Sequence, residues 1–229
     1  MNTESRTPST LVWDVPVRVF HWLLVASFAG AWITAESEHW RLVHVTLGYT
    51  MAGLVAFRVL WGLVGTRYAR FSSFVRGPRA AFAYLRSLLG RSPEHHTGHN
   101  PAGALAIVGL LALIGVTAAS GFATYNDLGG EWLEELHELA ANGLMALVVI
   151  HVAGVVVGSL VHKENLVRSM FTGRKPVPQG EGIRRGWATL AAVMIAAVLG
   201  FWWTQWQAAP QDAGTQLTRL VHDGDRDDD

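Results

Sequence analysis

Two histidines in the segment ELHELAANGLMALVVIH, His137 and His151, have a spacing that could serve redox chemistry. On an α-helix, 14 steps bring a side chain back to within about 40° of the same face and advance it by about 21 Å. Two imidazoles so far apart cannot bind one metal ion, but each can serve a separate cofactor at its own depth. The spacing therefore predicts one helix that carries two ligands, one near each surface of a bilayer.

Two further histidines, His21 and His44, supply partners at the same depths. His44 and His137 each lie about two turns into a helix from its outer end, and His21 lies about two turns in from an inner end. We therefore expect an outer pair, His44 with His137, and an inner pair, His21 with His151. Two imidazoles fill both axial positions of a haem iron, which favours electron transfer over oxygen binding. The four histidines thus predict two haems between the helices.

Other interpretations of the histidines remain open. Zinc prefers three or four ligands at one depth, which two distant pairs do not provide. Buried histidines can also be hydrogen-bonded core residues with no cofactor. The loop segment HHTGHNP contains His95, His96 and His99, which could bind a surface metal or be solvated. His99 could instead cap the following helix or contact a haem edge.

Two arginines are candidates for contact with haem propionates. Arg58 follows His44 by 14 residues, so it lies on the same helix face at the depth of the inner pair. A buried guanidinium would neutralise a propionate, although an arginine that snorkels to the inner surface fits the same position. Arg18 lies one turn before His21 and could also neutralise a propionate. For Arg18, however, we favour the interpretation that its side chain anchors the first helix at the inner surface.

The amino-acid composition limits both the class of fold and the kinds of cofactor that the chain can hold. Half of the 229 residues are apolar and 16% are charged, which is typical of a helical membrane protein. The chain has no cysteine, so disulfides, iron–sulfur clusters held by cysteine and c-type haem attachment are excluded. Its formal net charge is zero, and nothing indicates nucleic acid as a partner. The first 12 residues lack the pattern of a signal peptide, so we expect the first apolar segment to be retained.

Five segments are long and apolar enough to cross a bilayer, and the chain is predicted to be an all-α integral membrane protein. The predicted spans are Val15–Ala35, His39–Leu63, Ala102–Ala123, Glu131–Val161 and Gly186–Trp206. Asp14, Asn100 and Ser37 are predicted to cap three of these helices. Between the second and third spans, Pro78–Leu89 is amphipathic and is expected to lie along the inner surface or to cover the bundle as a short soluble cap.

Charges in the loops predict the orientation. The segments 66–101 and 162–185 each contain six basic residues, whereas 36–43 and 125–135 are acidic. By the positive-inside rule, the basic loops are cytoplasmic. With five spans, the N-terminus is then cytoplasmic and the acidic C-terminal tail lies on the opposite side of the membrane.

Several segments resemble the bacterial cytochrome b561 family, which includes the cytochrome b subunits of nickel–iron hydrogenases. The resemblance covers roughly residues 11–175, and the parts that carry it are RVFHW, HVTLGY, FRVLWGLVG, GHNPAGA and ELHELAANGLMALVVIHVAG. It implies a four-helix transmembrane bundle with two haems b that exchanges electrons with a quinone pool. It also implies that His21, His44, His137 and His151 are the axial ligands.

The resemblance suggests a division of the chain into four parts. We expect a cytoplasmic tail (1–14), a four-helix di-haem core (15–175), a linker with a fifth C-terminal transmembrane helix (176–206) and an acidic periplasmic tail (207–229). The first functional hypothesis is an electron carrier in membrane lipid, between quinone and a redox protein such as a c-type cytochrome. The second is an anchor subunit of a hydrogenase or dehydrogenase. The third is a non-redox membrane protein with structural or zinc-binding histidines.

Overall fold

The computed structural model describes residues 9–88, 90, 94–177 and 180–208. Five of its helices are long and apolar enough to cross a membrane, and each end lies within two residues of its predicted position. These are α1 (Val15–Thr34), α2 (Arg41–Val64), α4 (Pro101–Tyr125), α5 (Trp132–Val161) and α7 (Ala188–Ala208). The shorter elements are β1 (Ser9–Leu11), α3 (Pro78–Leu88), α6 (Leu166–Thr172) and β2 (Arg174–Pro176), with 3₁₀ turns at Glu38–Trp40 and Phe71–Ser73.

Two of the predicted helix caps are confirmed. The side chain of Asp14 accepts a hydrogen bond from the backbone N–H of Val17, and that of Asn100 accepts one from Gly103. Each cap is followed by a proline in the first turn, where a missing N–H costs nothing. The prediction for Ser37 is wrong, because this residue precedes a 3₁₀ turn and its side chain makes no capping bond.

The buried carboxylate of Asp14 also joins α1 to the far end of α2. Besides Val17, it accepts hydrogen bonds from Trp61 Nε1 at 3.0 Å and from Thr66 Oγ1 at 2.6 Å. Only 1% of Asp14 is exposed. Because a buried carboxylate is costly unless it is hydrogen-bonded, these three donors fix the start of α1 against the end of α2.

A tightly packed apolar layer lies in the middle of the bundle. Met51, Ile114 and Leu144 form its buried centre, and Phe28 packs against them. Met51 lies seven residues after His44, and Leu144 lies midway between the two histidines of α5. The layer therefore separates an outer histidine level from an inner one.

The fifth spanning helix covers α1 and α2. Met194 of α7 packs with Phe20 of α1 and Leu54 of α2. Trp202 Nε1 donates a hydrogen bond to Thr50 Oγ1 at 2.8 Å. Helix α7 thus lies beside the α1–α2 pair, whereas α4 packs against α5 on the other side of the bundle.

The basic loops meet at one end of the bundle. Strand β1 pairs with β2 in an antiparallel ladder in which Thr10 lies opposite Lys175. Lys175 also donates to the backbone carbonyl of Thr97 at 3.2 Å. From Ser9 onward, the segment predicted as a tail is therefore packed against this end, and Val12 and Trp13 are buried there.

Helix α3 agrees with the predicted amphipathic segment, although Leu89 lies outside the described residues. Ala81 and Tyr84 are buried, and the helix packs against α4. Phe82 and Leu85 of the same helix are exposed. This apolar exposure at the level of the basic loops agrees with a helix that lies along the membrane surface.

Candidate functional site

The outer pair of histidines has the spacing of two axial ligands. The ring centroids of His44 and His137 are 6.2 Å apart, and the ring planes meet at 74°. In a bis-imidazole site, each metal–nitrogen bond is roughly 2 Å long, and the ring centroid lies about 1.1 Å beyond the ligating nitrogen. The centroids of the two axial rings are therefore about 6 Å apart. The gap therefore has the width that one iron ion between two imidazoles requires.

Hydrogen bonds orient both rings of the outer pair. His44 Nδ1 lies 2.8 Å from the carbonyl oxygen of Ala31, and His137 Nδ1 lies 2.8 Å from that of Thr117. A carbonyl oxygen can only accept, so each Nδ1 carries the proton and each Nε2 keeps its lone pair. This is the arrangement that fixes the tautomer of a metal-ligating histidine and increases its basicity.

Two glycines make room at the outer level. A Cβ atom on Gly121 of α4 would lie 2.7 Å from Cε1 of His137, so only glycine lets this ring lie so close to α4. Gly48, one turn after His44, would meet no atom within 4 Å. The helix surface beside His44 is therefore open, as the flat face of a porphyrin would require.

The inner pair lies at the opposite end of the same bundle. His21 is on α1 and His151 on α5, and each is within electrostatic range of the other and of His99. Nδ1 of His21 is buried and has no hydrogen-bond partner among the described residues. The inner level thus lacks, at His21, the carbonyl bond that both outer histidines have.

Arg58 is buried at the inner level. It is 3% exposed, and its guanidinium carbon lies 4.8 Å from the centre of the Phe71 ring. Nη1 is buried without a partner in the described part of the chain. Arg18 differs, because its Nη1 donates to the carbonyl oxygen of Phe171 in α6. The Nε atom of Arg18 has no partner within the described ranges.

The inner level has a surplus of hydrogen-bond donors. Six buried nitrogen atoms there have no acceptor among the residues that the structure describes: Trp13 Nε1, Arg18 Nε, His21 Nδ1, Trp22 Nε1, Arg58 Nη1 and His99 Nδ1. Buried polar groups in native proteins are normally paired. The donors therefore fit a bound group that brings acceptor oxygens, and haem, with two propionates, is such a group.

The remaining histidines make local contacts. His95 Nε2 lies 3.3 Å from Glu164 Oε2, and His162 Nε2 lies 3.2 Å from Tyr84 Oη. Within the described ranges, no cluster of three or more acidic, histidine or cysteine side chains could hold a metal ion. His99 does not cap α4, since Asn100 does.

Sequence reasoning did not find Gly121, Trp13 or the two carbonyl acceptors. Every residue has a carbonyl, so the acceptors at Ala31 and Thr117 have no signal in the sequence. Trp13 is buried against His99, with ring centroids 4.5 Å apart. Gly121 lies four residues after Thr117, which is one turn along α4, so helical spacing places the two residues on the same side of that helix.

One family of known proteins matches most of the chain. The family model described as prokaryotic cytochrome b561 matches residues 12–173. The chain belongs to the prokaryotic cytochrome b561 family. It is therefore a multi-pass membrane cytochrome of the b type that binds haem b and takes part in electron transport. No solved structure was found to match the chain.

Several curated relatives share one description. A probable Ni/Fe-hydrogenase B-type cytochrome subunit of Bradyrhizobium diazoefficiens is 22% identical, over 73% of this chain and 86% of that protein. A protein of the same description from Azotobacter chroococcum is 28% identical, over 71% of this chain and 86% of its own length. The probable Ni/Fe-hydrogenase 1 B-type cytochrome subunit of Escherichia coli K12 is 27% identical, over 52% of this chain and 61% of that protein.

Proposed function

We propose that this cytochrome carries electrons across the bacterial inner membrane between a hydrogenase at its outer face and the quinone pool. Two haems b would supply the one-electron redox chemistry. His44 and His137 would ligate the outer one, and His21 and His151 the inner one. The observation that carries the proposal is the 6.2 Å gap between the outer imidazoles, with both Nδ1 atoms bonded to carbonyls.

The two histidine levels lie at different depths along α5. His137 and His151 are 14 residues apart on α5, or about 21 Å along the helix axis. The apolar layer around Leu144 lies between them. The basic loops support a cytoplasmic N-terminus and a periplasmic C-terminus. The outer pair then lies near the periplasm.

The proposed partner is a hydrogenase because the relatives are described as hydrogenase cytochrome subunits. The anchor hypothesis, with a hydrogenase and not a dehydrogenase as the partner, is therefore favoured over a free carrier that serves a c-type cytochrome. The acidic loop that contains Asp127 and Glu131 leads directly into α5, the helix of His137. A partner docked on this loop would lie near the outer histidine pair.

A groove at the inner end of α5 is the proposed site for quinone. It has a volume of about 670 Å³, within the range of about 300–1,000 Å³ that is typical of small-molecule sites. Its apolar wall begins at Val155, four residues after His151, which is about 6 Å along the helix. Ser159 and Lys163 add polar groups farther along. A lipid-soluble quinone could enter this groove from the bilayer and lie near the inner pair.

The partner is tested by purifying the full-length chain, with an affinity tag, in mild detergent from its native membranes. We expect a hydrogenase to copurify and hydrogen gas to reduce the haem absorption bands. If hydrogen leaves the spectrum unchanged while a quinol reduces it, the protein carries electrons for another partner and the hydrogenase proposal is wrong.

The quinone groove is tested with a matched pair of substitutions on α5. Val156 lines the groove, whereas Val149 is also exposed on α5 but lies outside it. Val156→Trp should slow the reduction of haem by a quinol, and Val149→Trp should not. Equal rates in both variants would exclude this groove as the quinone site.

A further inference from the structure

The buried donors at the inner level define a more specific site. Trp13, Arg58 and His99 come from three separate segments: the residues before α1, the helix α2 and the loop before α4. Trp13 is 5% exposed and Arg58 is 3% exposed. Each of the three residues has a buried nitrogen without a partner in the described chain.

A continuous set of aromatic contacts connects the three residues. His99 lies between two rings, with centroids 4.5 Å from Trp13 and 4.6 Å from Phe74. Phe74 contacts Phe71 at 5.8 Å, and the guanidinium of Arg58 lies over Phe71. The aromatic rings pack around the three donors and restrict their positions.

The charge balance of this region favours an anionic occupant. Burial, together with the charges of Arg58 and Lys175, lowers the pKa of His99 to about 3. Asp14, the nearby acid, is occupied by Val17, Trp61 and Thr66. Asp14 lies within electrostatic range of Arg58, but Nη1 of Arg58 has no acceptor among the described residues, and a carboxylate placed at this atom would pair it directly.

We propose that Trp13, Arg58 and His99 form a carboxylate site that holds the propionates of the inner haem. The proposal rests on the proposed function, because it requires a haem at the level of His21 and His151. Arg58 supplies the charge, and the ring nitrogens of Trp13 and His99 supply neutral N–H donors. The same residues close the bundle toward the cytoplasm, where His99 also lines a polar cavity of about 230 Å³.

In this proposal, the residues of the inner level have two different roles. His21 and His151 would hold the iron, and the three donors would fix the edge of the porphyrin that faces the cytoplasm. Removing a donor leaves more negative charge uncompensated near the iron. Negative charge stabilises the oxidised, more positive state of the iron, so the midpoint potential of the inner haem should fall.

The test is a redox titration of the purified full-length protein carrying His99→Phe. This change keeps an aromatic ring between Trp13 and Phe74 but removes the donor. We expect two haems per chain, and about a tenfold shift toward the oxidised state of the inner haem, which is 59 mV for one electron. The bands of the inner haem are assigned with His137→Ala, which removes an outer ligand.

Two further variants keep the test decisive. Trp13→Phe removes the second neutral donor and should lower the same potential. His95→Phe is the control, because its ring lies in the same loop but its Nε2 lies 3.3 Å from Glu164 Oε2, away from the proposed site. If His99→Phe and Trp13→Phe both bind two haems with unchanged potentials, the carboxylate site is wrong and the four-histidine assignment stands. If wild-type protein binds fewer than two haems, the proposed function itself fails.

Discussion

Replacing Gly121 by alanine should displace the ring of His137 and weaken binding of the outer haem. The added Cβ would lie 2.7 Å from Cε1 and 2.8 Å from Nδ1 of that ring. Comfortable carbon contacts begin at roughly 3.5 Å, so the ring must retreat by about 0.8 Å. Nδ1 now lies 2.8 Å from the Thr117 carbonyl, and such a retreat takes it beyond hydrogen-bond distance.

The expected loss follows from that hydrogen bond. Removing the partner that orients a metal-ligating histidine lowers metal affinity by about 10- to 100-fold. This corresponds to about 1.4 to 2.8 kcal/mol of binding free energy. The haem content of purified Gly121→Ala, measured by pyridine haemochrome, should fall from two per chain toward one. The reduced-minus-oxidised spectrum should lose the component that His44→Ala also removes.

Gly115 on the same helix provides the control. A Cβ at Gly115 would meet no atom within 4 Å, so Gly115→Ala should keep the full haem content. Full haem content and unchanged potentials in Gly121→Ala would refute the argument that this glycine positions His137. Equal losses in both variants would show that the effect belongs to α4 as a whole.

Two further predictions concern the contacts that hold the scaffold together. Lys175→Met removes the ammonium group that pairs with the buried carboxylate of Glu164 at 3.2 Å. The free energy of unfolding should fall by about 3–5 kcal/mol. A thermal unfolding midpoint equal to that of wild type would contradict this. The double variant with Glu164→Gln should recover part of the loss. Trp202→Phe removes the 2.8 Å hydrogen bond to Thr50 and should lower the free energy of unfolding by only about 0.6 kcal/mol. The haem spectrum should not change. Loss of haem would mean that α7 helps to hold the cofactor.

The spanning helices could be predicted from the sequence because a bilayer imposes a length and a composition on each of them. The boundaries of Val15–Thr34 and Trp132–Val161 follow from apolar runs that end in polar segments. Helical periodicity also placed His44 opposite His137, because the depth of a residue in an antiparallel bundle depends only on its distance from the helix end. The structure agrees with a ring separation of 6.2 Å.

Contacts between distant segments could not be predicted in the same way. The strand pairing of Ser9–Leu11 with Arg174–Pro176 joins residues more than 160 positions apart, and three-residue strands carry no periodic signal. The buried position of Trp13, two residues after the first strand, goes with that pairing and has no signal in the composition. The role of Gly121 depends on the helix that packs against it, which single-helix patterns do not contain.

The central claim is that the four histidines act as two specific pairs. It is tested most directly by measuring haem content and redox potentials in four single alanine variants, at His21, His44, His137 and His151. We expect His44→Ala and His137→Ala to lose the same haem, and His21→Ala and His151→Ala to lose the other. Loss of different haems from His44→Ala and His137→Ala would contradict the pairing, and with it the proposed path for electrons.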